Sequence, residues 1–314
     1  MKNLNKIKNT KNFKELTLKS PEYLDFLKTR IAPHITQDLA SEMLAFSLSQ
    51  KYLLKIAETI ENDSFLDKIP TKTPEINIIL GQTGAGKSYI SKSILNNTPN
   101  TIFIDTDSYK KYNPFKDLIL KHCPTHFGTL TGLDSYLIRD IIYQKALEQK
   151  YNILIEVTPS SKEKLFNIDI AKLQNLGYKI NAHFIARANI NSLLSIHERY
   201  EQQLLTHHPT PKLTDLNRAL DSCLAIEQIL KDLITINNVN ISIYQYNNTQ
   251  KLIAKNKQNL LKIFKNAQNQ DYLNSKQYID IRINKIHELM KSRKAPKEQL
   301  QQFEKIKKII LKNC

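Results

Sequence analysis

Eight consecutive residues carry the clearest chemistry in this chain: Gly81, Gln82, Thr83, Gly84, Ala85, Gly86, Lys87 and Ser88, a glycine and four residues followed by Gly-Lys-Ser. Glycines at that spacing let successive backbone N–H groups converge on phosphate oxygens with no Cβ in the way. A helix starting at the lysine adds the positive end of its dipole. Lys87 is then placed to bridge the terminal phosphates of a nucleoside triphosphate, and the Ser88 hydroxyl to ligate Mg2+. Chance would produce such a string about once in a hundred chains of this length. The chain has only six glycines, however, and three of them fall inside these eight residues. An ordinary glycine turn is a poor account of that clustering.

A phosphate cradle alone does not choose among a switch, a motor and a small-molecule kinase. Carboxylates decide, and Asp105 and Asp107 close the segment Thr101–Asp105 (TIFID) and its continuation to Pro114. They stand at the C-terminal end of a strand, where ligands gather in parallel sheets. A carboxylate there can take the proton of a hydroxyl that attacks a γ-phosphate. The plainer role for Asp107 is a helix cap, and a switch would need no hydroxyl base at all.

The elements that must position these groups alternate. Ile76–Leu80 (INIIL) is a short apolar, β-branched run that predicts a buried parallel strand, followed by a helix over Lys87–Leu95. Strands are predicted at Thr101–Asp105, Tyr151–Val157, Lys179–Ala186 and, last, Asn240–Tyr246. Helices are predicted at Ser135–Gln149, Ser161–Leu176 with Gly177 as its C-terminal cap, Ile190–Leu205 and Thr214–Ile234. Such alternation implies right-handed βαβ units. The expected fold is α/β: a P-loop kinase-like parallel sheet with helices on both faces, plus helical N- and C-terminal extensions. Ser20–Leu66 has apolar residues at helical spacing and ends at Pro70-Thr-Lys-Thr-Pro74, a stiff connector. The expected organisation is therefore a helical extension over 1–70, a P-loop kinase domain over 71–246 and a basic helical extension over 247–314.

With these motifs in order, the chain resembles the zeta toxin family, P-loop kinases of bacterial toxin-antitoxin systems, over roughly Ile76 to Asp221. That family has an Asp after the second strand with a Pro seven residues later, as in Asp107 and Pro114, and the resemblance implies that Asp107 is the base. It implies substrate contacts from Asp140, where Glu is more usual, and from Glu156 and Thr158, which flank Val157 where the family has Glu-Gly-Thr. Arg199-Tyr200-Glu201 matches the helix that supplies a phosphate-contacting arginine. Lys212 stands where a second arginine is usual, and a lysine brings a point charge without the planar fork. By resemblance the reaction is phosphorylation of a hydroxyl of a nucleotide sugar, UDP-N-acetylglucosamine, by ATP with Mg2+, GTP being the alternative donor. The resemblance further implies that depletion of that precursor would be toxic to cell-wall synthesis. The competing readings are a polynucleotide or other small-molecule kinase and a nucleotide-dependent regulatory binding module.

Composition narrows the partners. The formal charge of +16 is concentrated at the ends, with 16 Lys or Arg against 5 Asp or Glu over Asn247–Cys314 and 8 against 3 over Met1–Arg30. Solvated lysine-rich helix faces are the plain reading; an acidic antitoxin is the partner such a charge would favour, with nucleic acid the less favoured one. The amphipathic segment before Pro70 could alternatively restrain the site within the same chain, although core-building is its simpler use. No run reaches the ~20 apolar residues of a membrane span and the lysine-studded start lacks a signal segment, so a cytoplasmic protein with no membrane partner is expected. Three scattered cysteines, Cys123, Cys223 and Cys314, suggest neither a disulfide framework nor a zinc site, and His207-His208 reads as a polar turn.

Overall fold

The structure, a computed structural model, describes residues 50–113, 115–122, 127–159, 168–208, 210–214, 216–247, 249–256 and 258–312. In chain order its elements are α1 (Gln50–Ser64), β1 (Glu75–Leu80), α2 (Lys87–Asn97), β2 (Ile102–Ile104), a 3-10 turn (Ser108–Tyr112), α3 (Lys116–His122), α4 (Phe127–Leu130), α5 (Gly132–Glu148) and β3 (Ile153–Val157). They continue with α6 (Ile170–Asn175), β4 (Lys179–Ala186), α7 (Asn189–Leu205), α8 (Leu216–Ile234), β5 (Val239–Asn247) and β6 (Thr249–Lys255). The last three helices are α9 (Leu260–Ser275), α10 (Ile279–Ser292) and α11 (Lys297–Lys312). The chain divides into two compact units. Among the described residues, one holds 50–66 and 105–148; the other holds 67–104 and 149–312.

The second unit is built on one six-stranded sheet of order β2-β3-β1-β4-β5-β6. The first five strands are parallel, as the alternation requires. Ile76, Ile78, Ile79 and Leu80 of β1 are fully buried, because β1 is central and both its faces are covered. On one face Ile79, Leu154 and Ile185 meet Ala85 and Ile90 around α2. Phe184 of β4 meets Phe264 of α9 edge to face, with ring centroids 6.3 Å apart.

Two expectations are corrected here. Asn240–Tyr246 is not the last strand, since β6 follows it and pairs antiparallel with β5. The sequence TQKLIAK is polar at one end and leaves Leu252 exposed, as suits an edge strand protected by lysine, and so lacks the apolar run of the inner strands. For the same reason residues 247–314 do not begin as a helical extension. Their helices α9, α10 and α11 pack on β4, β5 and α7, and Ile283, Ile286, Met290, Phe303 and Ile306 share a core cluster with Leu193, Leu194 and Tyr200 of α7. Lys262, Lys265, Lys285, Lys291, Lys305 and Lys308 on these helices are exposed, the solvated face expected of the charge run.

In the first unit α1 lays Leu53, Ile56, Ala57 and Ile60 into the core and packs on α5, with Lys145 of α5 paired to Glu61. This much of the amphipathic N-terminal segment builds core; its earlier part, 20–49, lies outside the described residues, as do 160–167 at the start of the helix expected from Ser161. What is described of that helix is α6, where the Asp169 side chain caps Lys172 N and Gly177 adopts φ +80° just past its end.

Candidate functional site

The Gly81–Ser88 string spans the turn between β1 and α2 and the first residues of α2, and Gln82, Thr83 and Gly84 each meet a different neighbour. Gln82 is fully buried and its Nε2 donates to the carbonyl of Arg187, at 2.7 Å, just past the end of β4. The Thr83 N–H donates to Ser222 Oγ of α8 at 3.2 Å. Gly84 adopts φ +83°, and a Cβ placed on it would strike the carbonyl oxygen of Ser192 on α7. Glycine is required there both by the backbone conformation and by that close approach. Gly86, at φ +90°, leads directly into α2, so the first N–H groups of an 11-residue helix open onto the turn. The Lys87 ammonium rests on the carbonyls of Gly81 and Gln82, at 3.0 and 3.3 Å, on the concave side of the loop.

Glu156 joins this group. It lies on β3 two residues after Leu154, so it projects from the sheet face that carries α2. Its carboxylate accepts from Ser91 Oγ at 2.8 Å and, at the limit of a hydrogen bond, from Ser88 Oγ at 3.4 Å. The expected acceptor contact thus sits beside the hydroxyl expected to ligate Mg2+. Val157 alternates to the opposite face and is buried, so it does not stand between Glu156 and Thr158. Thr158 is half-buried at the end of that strand.

Arg-Tyr-Glu on α7 divides sharply. Arg199 is exposed, whereas Tyr200 and Glu201 are buried. Tyr200 OH accepts from Gln299 Nε2 at 3.1 Å, and Glu201 receives both Nε and a terminal nitrogen of Arg293, at 2.6 and 2.7 Å. Lys212 is half-buried, its N–H bonded to Gln203 Oε1 at 2.9 Å.

Asp107 and Asp140 belong to the first unit. Asp107 begins the 3-10 turn and its carboxylate pairs with the buried Lys110 at 2.7 Å, while its own N–H is held by Asp105 Oδ1. Asp140 on α5 accepts from Nε and a terminal nitrogen of Arg139, at 2.9 and 2.6 Å. Asn113 of the turn donates to the buried Asp134 of α5 at 2.9 Å, so turn and helix form one piece. Beside Asp105, burial pushes the Tyr109 phenol well above its ordinary range.

Sequence reading missed Lys110, Ser91, Ser222 and the buried Arg187–Asp271 pair, 3.1 Å apart. Burial pulls the Arg187 guanidinium below its usual range, and the Asp271 carboxylate opposes that pull. Only Lys110 had a local signal, three residues from Asp107 where one turn brings both side chains together. Among the described residues no group of three His, Cys, Asp or Glu could hold a metal, and no helix is long and apolar enough to cross a membrane. Cys223 is a buried free thiol pushed up to about 12 by desolvation.

The donor set of the turn suits Mg2+, a hard cation that takes one or two protein oxygens and completes its shell with phosphates and water. Ser88 Oγ and the Glu156 carboxylate are oxygen donors of that kind, at the mouth of a cradle whose Gly84 admits no Cβ.

Comparison with known proteins agrees with this reading of the fold. A chain from the PezAT chromosomal toxin-antitoxin system of Streptococcus pneumoniae superposes with TM-score 0.62 at 20% identity, covering 76% of this chain and 98% of that one. A chain of the AvrRxo1-ORF1:AvrRxo1-ORF2 complex is a more distant likeness, with TM-score 0.44 at 14% identity, covering 79% of this chain and 77% of that one. No curated protein matches the sequence. The family model for zeta toxins matches residues 60–258, more than half of the chain, from the end of α1 to just beyond β6. The chain belongs to the zeta toxin family.

Proposed function

We propose that the protein is an ATP-dependent kinase that phosphorylates a hydroxyl of a nucleotide sugar, UDP-N-acetylglucosamine by family, and that it acts as the toxin of a toxin-antitoxin pair. The observation that carries the proposal is the assembly of Lys87, Ser88 and Glu156 on a turn of the P-loop form in a zeta toxin fold. The N–H groups from Gly84 to Ser88 and the α2 N-terminus hold the triphosphate. Lys87 leaves the Gly81 and Gln82 carbonyls for the terminal phosphates, exchanging two neutral acceptors for anionic ones. Ser88 and Glu156 are the residues that would hold Mg2+, which would supply neutralisation of the phosphate charge.

Phosphoryl transfer needs positioning and charge neutralisation more than covalent chemistry from the protein. In the proposal, Arg199 neutralises the transferring group, Lys212 adds a second positive charge, and Asp107 takes the proton of the attacking hydroxyl. The Lys110 ammonium keeps the Asp107 carboxylate oriented. Asp140 and Thr158 hydrogen-bond the acceptor, and Glu156 serves the metal side as well as the acceptor side. The partner is an antitoxin whose acidic surface would complement the basic ends of the chain. Purified protein incubated with ATP, Mg2+ and UDP-N-acetylglucosamine should yield a phospho-sugar by mass spectrometry. Absence of that product from folded wild-type protein, with Lys87 intact, would sink the assignment of the acceptor.

A further inference from the structure

The three helices beyond residue 258 lie outside the stretch that matches the family, yet they and the residue just past α10 bond to Arg187, which holds Gln82 of the cradle, and to Glu198 and Glu201, which flank Arg199. Arg282 of α10 grips Glu198 through two parallel hydrogen bonds of 2.7 Å. Arg293, just past the end of α10, grips Glu201 in the same way. Glu198 and Glu201 stand on either side of Arg199 within one turn of α7. Arg282 also donates to Asn191 Oδ1 at 2.8 Å and Ser195 Oγ at 3.1 Å. Asn191 in turn donates to Asp271 of α9 at 2.9 Å. Asp271 caps α7 by accepting from the Ala188 N–H at 2.8 Å and pairs with Arg187, whose carbonyl holds Gln82 of the cradle. One run of polar groups therefore leads from Gln82 through Arg187, Asp271, Asn191 and Arg282 to Glu198, and ends beside Arg199.

The choice of arginine indicates what these contacts control. Residues 247–314 contain 14 lysines and two arginines, and both arginines form these forks. A lysine would fix a distance; a planar fork also fixes orientation, and two forks on one turn fix the rotation of α7 about its axis. A guanidinium roughly 9 Å from that axis moves about 3 Å for a 20° rotation, enough to lose a phosphate contact. We infer that Arg282 and Arg293 are positioning residues that hold α7 in rotation so that Arg199 meets a triphosphate bound at Gly81–Ser88, which makes α10 a working part of the nucleotide site. The inference rests on reading Arg199 as a phosphate-contacting residue.

The test compares dissociation constants for MgATP and MgADP in the full chain, which needs no knowledge of the acceptor. Arg199→Ala should lower the preference for ATP over ADP by roughly tenfold. Arg282→Gln should lower it about three- to tenfold with ADP affinity within about twofold of wild type, and Arg282→Lys should restore part of the loss. Because Arg293→Gln alone leaves the buried Glu201 unpaired, the double variant Glu201→Gln/Arg293→Gln is the companion, and it should behave like Arg282→Gln. If Arg199→Ala collapses the preference while both α10 variants keep it, or shift ATP and ADP together along with a lower melting temperature, the forks are only structural and the inference is wrong. If Arg199→Ala itself leaves the preference unchanged, the phosphate role of Arg199 fails first and the positioning role with it.

Discussion

The phosphate cradle and the Asp107–Asp140 region are built to opposite specifications. Around Gly81–Ser88 the Thr83 N–H is held by Ser222 of α8, the fully buried Gln82 is bonded to the Arg187 carbonyl just past β4, and α7 approaches so closely that the site of Gly84 admits no other side chain. Asp107 is about half exposed and its carboxylate is paired within a single 3-10 turn to a lysine three residues on. Under the proposed function the contrast matches what each region would handle. Phosphates are alike in every turnover and reward a rigid set of donors that need no reorganisation. On the proposed function an acceptor would have to enter, be recognised and leave, which a partly exposed carboxylate on a 3-10 turn would allow.

Substitutions on the two sides should therefore fail differently. Lys87→Ala has the largest expected effect, a loss of transfer on the order of a thousandfold or more together with weaker MgATP binding, measured by turnover and titration calorimetry. Asp107→Asn should lower transfer by about 10²- to 10⁴-fold while leaving MgATP affinity within about twofold, because in the proposed mechanism it would remove a proton acceptor and no phosphate contact. Equal losses of ATP affinity in the two variants would erase the comparison. Gly84→Ala should come next, destabilising the second unit by about 3 kcal/mol or more, read from denaturant melts, since the left-handed backbone and the Ser192 carbonyl both oppose a Cβ.

The smallest effect concerns pH. His197 is buried against Phe303 with neither ring nitrogen hydrogen-bonded, and burial, aided by Arg293, lowers it from 6.5 to about 4. His183, between Asn77 and Tyr244, is lowered to about 4 chiefly by burial, with Lys255 adding to it. Both are neutral in the fold while the unfolded chain takes up protons near pH 6.5. Their stabilising contribution is full above that value and declines as pH falls toward 4. Melting temperature should drop across that window, and His197→Leu should flatten the decline.

The cradle was legible because everything that defines it is local: glycine spacing, a preceding β-branched strand, a following helix. The inner strands were legible for the same reason, each being an apolar run bounded by turn residues. What escaped was contact across the chain. Arg187 and Asp271 lie 84 positions apart, as do Glu198 and Arg282, and no periodicity links such pairs. A compositional signal existed, since the chain has seven arginines among its 46 basic residues, and Arg139, Arg187, Arg282 and Arg293 each hold a specific carboxylate. Tyr200 and Glu201 resembled part of a catalytic signature and turned out to serve the packing of α10 and α11, with Arg199 alone facing solvent. Edge strand β6 was missed because an edge tolerates the lysines that argue against a strand.

The central claim is transfer of the ATP γ-phosphoryl group to a sugar hydroxyl with Asp107 as base. Its most direct test is a single-turnover reaction with γ-labelled ATP, Mg2+ and excess UDP-N-acetylglucosamine, followed in wild type and in Asp107→Asn. The account predicts label on the sugar in wild type and a large drop in that rate in the variant, with ATP still bound. Label appearing only as free phosphate, at a rate indifferent to the sugar and to Asp107, would contradict it.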